Sequence, residues 1–356
     1  MKVNKKNYSS IWEEDGVIKI IDQTKLPFKF EVIELKSLKD FLDAIKKMKV
    51  RGAPLIGVTA AYALAVITNK NSSIKYLREV YDALYKTRPT AVNLKWALNF
   101  CYRKIKEGKQ FERGKIALSL ARTIRNNDII SSKKIAFNGY KIIEEIYKKK
   151  NKKINILTHC NAGWLATVDW GTALAPIFLA NRNKIPIHIW VDETRPRNQG
   201  ALLTAWELKN ENVPYTVITD NAGGYLMSKG EVDLCIVGSD RITRDGDVCN
   251  KIGTYLKALA SKTHNIPFYV AAPTSTIDLS LNKGEDVPIE IRDGTELSRI
   301  KIKKNGSILE GDAYFPKART FNPAFDITPS RLVSKIITEY GVMNCNRKEI
   351  DNLMKK

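Results

Sequence analysis

The sequence predicts an α/β fold: a small N-terminal β-sheet and a helical bundle, followed by a parallel β-sheet. Three observations point there. Two short β-branched runs flank a turn-rich hexapeptide near the N-terminus. Helical periodicity then fills the chain to about residue 148. After Lys153, short apolar runs alternate with helical ones, the pattern of βαβ units whose parallel strands are covered on both faces.

The first element is a β-hairpin, since residues 17–21 and 28–33 are β-branched runs broken by Asp22-Gln23-Thr24-Lys25-Leu26-Pro27. Apolar residues at helical spacing then predict amphipathic helices over 38–48, 54–67, 74–84, 91–105, 112–125 and 131–148. Parallel strands are expected over 154–157, 187–191, 215–218, 234–237 and 268–271. Each ends in a small or polar cluster, and in doubly wound sheets ligands bind outside the carboxyl ends of the strands. The 356 residues suffice for about two domains at the usual ~150 residues each, and the change of pattern divides them into 1–128 and 129–356.

Composition excludes several classes. With 44% hydrophobic and 27% charged residues the chain is neither disordered nor collagen-like. The formal charge of +21 is spread along the polar sides of helices, and its densest run, residues 148–153, reads as a solvated helix end. Basic strips interleaved with aromatics are missing, so nucleic acid is not an expected partner; steering of a phosphorylated small molecule is the better use of the charge. Cys101, Cys160, Cys235, Cys249 and Cys345 form no C-x-x-C pair, which implies a reducing, cytoplasmic location. His159, His188 and His264 make no H-E-x-x-H pair, and no metal site is expected. Residues 1–15 lack a signal-peptide core, and no apolar stretch is read as reaching the ~18 residues of a membrane span.

Chemistry is expected at the strand ends. Cys160 follows an apolar strand and precedes Asn161-Ala162-Gly163, a turn suited to opening a helix whose dipole would depress the thiol pKa. The bland alternative is a small core residue. Asp240 closes the run 234–240 and is a candidate general acid or base; a helix cap or an ion pair with Arg241 competes with that reading, and Asp220 competes for the role. Arg51-Gly52-Ala53-Pro54 precedes a helix, where free N–H groups, a glycine and a guanidinium suit a phosphate; a plain turn is the alternative. Arg88, Gln199-Gly200 and Asn250-Lys251, which is expected to open a helix, are comparable anion-binding candidates.

Taken together, Arg51-Gly52-Ala53-Pro54, His159-Cys160-Asn161-Ala162-Gly163, Asp192-Glu193-Thr194-Arg195-Pro196, Gly238-Ser239-Asp240-Arg241 and Asn250-Lys251-Ile252-Gly253-Thr254-Tyr255 resemble the methylthioribose-1-phosphate isomerase family. That family shares its fold with the α, β and δ subunits of initiation factor 2B. The resemblance runs from Asp22 to Asp326. It implies a helical domain on a Rossmann-like domain, a homodimer, no cofactor, and isomerisation of a sugar phosphate in methionine salvage. It also implies that Asp240 is the proton donor and Cys160 the second catalytic residue, with Arg51, Gly52, Ala53, Arg88, Gln199, Asn250 and Lys251 binding substrate. Leu202 departs from the pattern, standing where an arginine is expected, as do Asn221-Ala222-Gly223-Gly224 and Glu290-Ile291-Arg292-Asp293-Gly294. Ribose-1,5-bisphosphate isomerase and a non-catalytic initiation-factor subunit are the rival readings. Apolar Gly163-Trp164-Leu165-Ala166 favours a thioether tail over a second phosphate, and the retained site residues speak against a non-catalytic subunit.

Overall fold

A computed structural model describes residues 1–89, 91–315 and 317–355. The N-terminal hairpin is present, but its second strand starts at Val32, so Val17–Ile21 pairs with Val32–Leu35 across a longer loop. A further strand, Ile11–Glu14, adds to the other edge. Its signal was the dipeptide Asp15-Gly16, whose positive φ values of 52° and 75° make the two-residue turn between paired strands.

Helix α1 (Leu38–Lys46) starts on a capping box in which Ser37 and Asp40 satisfy each other's backbone N–H groups. Helix α2 (Ala53–Lys70) is apolar on nearly every side because it runs through the middle of the bundle, packed by α3 (Ile74–Tyr85) and α4 (Val92–Glu107). Contrary to the sequence reading, α2 is long and apolar enough to cross a membrane by length and composition; most of it is buried inside the protein.

The helices expected over 112–125 and 131–148 are one continuous helix, α5 (Arg113–Lys150), and position 128 lies inside it. Asn126, Asn127 and Asp128 favour breaks by local propensity. Packing on both sides overrides this: α5 lies against α2 at one end and α6 (Leu174–Arg182) at the other. The Asp128 carboxylate also accepts from the Val168 N–H at 2.7 Å.

All five expected parallel strands form, in one seven-stranded sheet. Its order is Gly341–Met343, Lys335–Thr338, Phe268–Ala271, Leu234–Val237, Ile154–Thr158, Ile187–Asp192, Tyr215–Ile218. Only the edge strand Gly341–Met343 is antiparallel. Side chains alternate between two cores: Ile154, Ile156, Leu234 and Ile236 enter one, Leu157, Cys235 and Val237 the other. Burial on both faces is why these strands read as continuous apolar runs.

The chain winds outward from Ile154–Thr158 through two strands, then returns to Leu234–Val237 on the opposite side. The switch point therefore lies between these two strands. A second sheet sits at their carboxyl ends, ordered Ile277–Asp278, Arg241–Thr243, Val248–Lys251, Phe325–Thr328.

Candidate active site

Cys160 leaves the strand Ile154–Thr158 at the switch point with φ of +66°, a left-handed conformation uncommon outside glycine and enriched at functional sites. Its N–H donates to Thr194 Oγ1 at 2.8 Å, and its carbonyl accepts from Thr204 Oγ1 at 2.7 Å. The expected helix does not follow: Trp164–Ala166 is one short 3-10 turn, and α6 begins only at Leu174. No helix dipole therefore lowers the thiol pKa. Burial raises it, opposed by the positive charges of Arg51 and Lys251.

Asp240 follows the neighbouring strand Leu234–Val237 and is pinned through its backbone, its N–H donating to the Cys249 carbonyl at 2.9 Å. It leads into the strand Arg241–Thr243, so it is not a helix cap. Ala53, Ile56, Arg88, Val287 and Phe325 surround the small cavity beside it. Asp240 and Cys160 are close enough to act on each other electrostatically, and both act on Lys251.

Lys251 ends the strand Val248–Lys251, all of it buried, so Asn250 and Lys251 lie on a strand where a helix was expected. The helix, Thr254–Thr263, starts after Gly253, whose φ is +103°. Asp326 caps it, accepting from the N–H groups of Gly253 at 2.7 Å and Tyr255 at 3.2 Å. Lys251 Nζ donates to the Ala324 carbonyl at 2.6 Å and lies 4.5 Å from the centre of the Phe325 ring. Burial, then the adjacent Arg292 guanidinium, push its pKa down to about 8. Asn250 donates to Thr254 Oγ1 at 3.0 Å.

Arg51 donates to Asn161 Oδ1 at 2.5 Å and to the Asn161 carbonyl at 2.9 Å. Gly52 follows with φ of +88° and caps α2; a Cβ there would lie 2.4 Å from the Ala166 carbonyl oxygen. Arg88 is 3.6 Å from Glu290 Oε2. Among the buried polar atoms with no hydrogen-bond partner among the described residues, Arg88 Nε, Gln199 Oε1 and Arg292 Nε belong to the site. Such atoms are uncommon in protein interiors and suit a polar ligand. A cleft of about 490 Å³ reaches from Arg51 and Gln199 to Leu26, Phe28, Met48, Leu202 and Leu203.

A sequence profile of the initiation factor 2 subunit family matches residues 49–345. The chain belongs to that family, in its methylthioribose-1-phosphate isomerase branch. Methylthioribose-1-phosphate isomerase of Escherichia coli O45:K1 is 51% identical over 99% of this chain and 96% of the relative. That of Methylorubrum populi is 51% identical over 96% and 95%. The crystal structure of 5-methylthioribose 1-phosphate isomerase from Pyrococcus horikoshii superposes with a TM-score of 0.86 at 35% identity, covering 98% of this chain and 96% of that one. Translation initiation factor eIF-2B subunit delta from A. fulgidus superposes at 0.81 with 39% identity, covering 98% and 100%.

In this family member the candidate site residues fall into two connected groups. Ala53, Arg88 and Asp240 line the small cavity, whereas Arg51 and Gln199 line the larger cleft. Cys160 and Lys251 sit buried among them, tied to both groups by charge. Asp220, the rival to Asp240, accepts from the N–H groups of Thr194 and Arg195, each at 2.7 Å, and so holds a loop. Arg292, Glu290 and Phe325 also border the site; sequence marked Glu290 and Arg292 only as a departure from the family pattern, and Phe325 reaches Lys251 only through strand pairing. Trp164 and Leu165, expected beside the substrate tail, are instead fully buried in the core.

One set of metal-type donors occurs among the described residues: His159, Asp192 and Asp220, whose donor atoms lie within 4.8 Å of one another. Asp192 Oδ2 is already shared by His159 Nδ1 at 2.8 Å and Lys257 Nζ at 3.2 Å. The lysine places a positive charge where a cation would bind.

Proposed function

We propose that the chain is an aldose–ketose isomerase that converts 5-methylthioribose 1-phosphate into 5-methylthioribulose 1-phosphate in methionine salvage. The observation that carries this reading is the meeting of Cys160 and Asp240 at the sheet's switch point, among Arg51, Arg88 and Lys251. The full-length relatives named for the same reaction support it.

A phosphate on C1 locks the sugar as a furanoside, so no free aldehyde exists for an enediol route. The ring must open first. Asp240 is the carboxyl group placed to give the ring oxygen a proton. Hydrogen then passes from C2 to C1, as a proton carried by Cys160 or as a hydride that Cys160 only helps to stabilise, and on either route the C2 hydroxyl gives up its proton as the ketone forms, restoring the one that Asp240 lost. Incorporation of solvent deuterium at C1 would mark the proton route. Arg51, Gly52, Ala53 and the start of α2 hold the phosphate through a guanidinium and free N–H groups, with Arg88 and Lys251 adding charge. Gln199, with its free Oε1, and Asn250 take sugar hydroxyls.

The apolar part of the large cleft, Leu26, Phe28, Met48, Leu202 and Leu203, suits a methylthio tail and replaces the wall that sequence assigned to Trp164 and Leu165. Leu202, where an arginine was expected, adds to that apolar surface. We place the protein in the cytoplasm, consistent with five unpaired cysteines. We also propose a homodimer: Trp96, Ile130 and Tyr340, 44%, 50% and 56% exposed, line one groove. Sedimentation velocity tests it. The activity is tested by offering 5-methylthioribose 1-phosphate and ribose 1,5-bisphosphate in parallel. Turnover of the first is expected; turnover of the bisphosphate alone, or of neither, overturns the proposal.

A further inference from the structure

Glu207 lies on the short helix Ala205–Asn210, fully buried, and no step of the reaction uses it. Burying a carboxylate is costly unless its oxygens are well satisfied. Here Oε2 accepts from the Trp164 N–H at 2.8 Å, and Oε1 from the Leu165 N–H at 3.2 Å and Asn161 Nδ2 at 2.8 Å. The group is wedged into the turn after Cys160. A Cβ at Gly163 would lie 1.9 Å from Oε2, so this glycine is what lets the carboxylate in.

The Asn161 carboxamide is chemically two-ended, and each end has one kind of neighbour. Its Nδ2 donates to Glu207 and, at 3.2 Å, to Thr204 Oγ1. Its Oδ1 accepts from Arg51 Nη1 at 2.5 Å. Reversing the amide would set N–H donors against the guanidinium and bring two acceptor oxygens together. The acceptor on Glu207 therefore decides which way Asn161 points. Thr204 also donates to the Cys160 carbonyl and closes the π-helical turn Gly200–Thr204, which begins directly after Gln199. Such turns are frequent at functional sites. One segment, residues 199–207, thus carries a substrate-binding side chain and braces two others.

We propose that Glu207 is a positioning residue: by orienting Asn161 it holds the Arg51 guanidinium in its phosphate-binding pose. The inference rests on the assignment of Arg51 to the substrate phosphate. Glu207→Leu, which removes the acceptor, is expected to raise KM for 5-methylthioribose 1-phosphate at least tenfold while changing kcat less than threefold; in Glu207→Gln the amide oxygen can still face Asn161 and Leu165, so KM is expected to change less. Asn161→Asp alone sets two carboxyl groups against each other and is expected to raise KM; adding Glu207→Gln lets the introduced amide donate to one oxygen of the introduced carboxylate, while the other oxygen accepts from Arg51. Most of the lost affinity is expected to return, which a purely structural role for Glu207 would not produce.

Glu207→Asp, which keeps the carboxyl group but withdraws it from Asn161, is the second variant and is expected to raise KM in the same way. Thermal stabilisation by 5-methylthioribose 1-phosphate is read alongside, independently of turnover. If the wild-type protein binds but does not isomerise this ligand, the proposed activity fails, while weakened and rescued binding still upholds the role of Glu207. An unchanged KM and thermal shift in Glu207→Leu and Glu207→Asp, a fall in kcat alone, or no recovery in the double variant overturns it.

Discussion

Replacing Gly52 with alanine tests the phosphate cradle where backbone and packing coincide. Its φ of +88° lies in the left-handed half of the map, which costs an L-residue roughly 1–2 kcal/mol. The new Cβ would also meet Ala166, at 2.4 Å from its carbonyl oxygen and 2.5 Å from its Cα. These are backbone atoms and do not swing aside. Overpacking of this kind typically costs about 1–3 kcal/mol, so the two effects together destabilise by about 2–5 kcal/mol if the turn holds its place. Part of that is relieved if Arg51 and the start of α2 move away from Ala166. The relief then appears as lost substrate positioning, where a shift of about 1 Å is worth up to 10²-fold. Gly16→Ala is the control, because φ there is +75° but nothing lies within 4 Å of the added Cβ. Urea unfolding and steady-state kinetics of both variants supply the comparison. Gly52→Ala is expected to lose more stability than Gly16→Ala and to raise KM at least tenfold, while Gly16→Ala leaves KM unchanged. Equal stability losses together with an unchanged KM would show that Gly52 is not needed at this turn.

Two further outcomes follow from the same geometry. Phe28→Ala removes part of the apolar wall, so the preference for 5-methylthioribose 1-phosphate over ribose 1-phosphate, read as a ratio of kcat/KM values, is expected to fall by about tenfold, within the usual range for apolar pocket contacts. Lys251 titrates near pH 8 because burial and Arg292 disfavour its charged form, so its positive charge is present below that pH and lost above it. If that charge holds the phosphate, kcat/KM falls as pH rises through about 8. The fall is expected to move to higher pH in kcat, because a bound dianion stabilises the protonated amine.

Much of this site was legible in sequence because a strand buried on both faces, ended by small and polar residues, carries a local signature. Cys160 and Asp240 stand directly after such strands, and the crevice rule brings them together. The second sheet was not legible. Its strands are two to four residues long and include Arg241, Asn250 and Lys251; two of them make a short local hairpin, and the fourth strand joins only through pairing between residues more than seventy positions apart, such as Lys251 with Phe325. The continuity of α5 across Asn126-Asn127-Asp128 likewise comes from packing that local propensity does not encode. Glu207 reads in sequence as an ordinary glutamate in a short helix. Only the tertiary fold buries it beneath Asn161.

The most direct test of the account is turnover of 5-methylthioribose 1-phosphate by Asp240→Asn, with Cys160→Ser as its companion. Loss of a general acid typically costs roughly 10²–10⁴-fold. Asp240→Asn is therefore expected to lower kcat by at least about 10²-fold while unfolding midpoint and ligand-induced thermal shift stay close to wild type. Wild-type turnover in that variant would contradict the placement of the chemistry at the switch point.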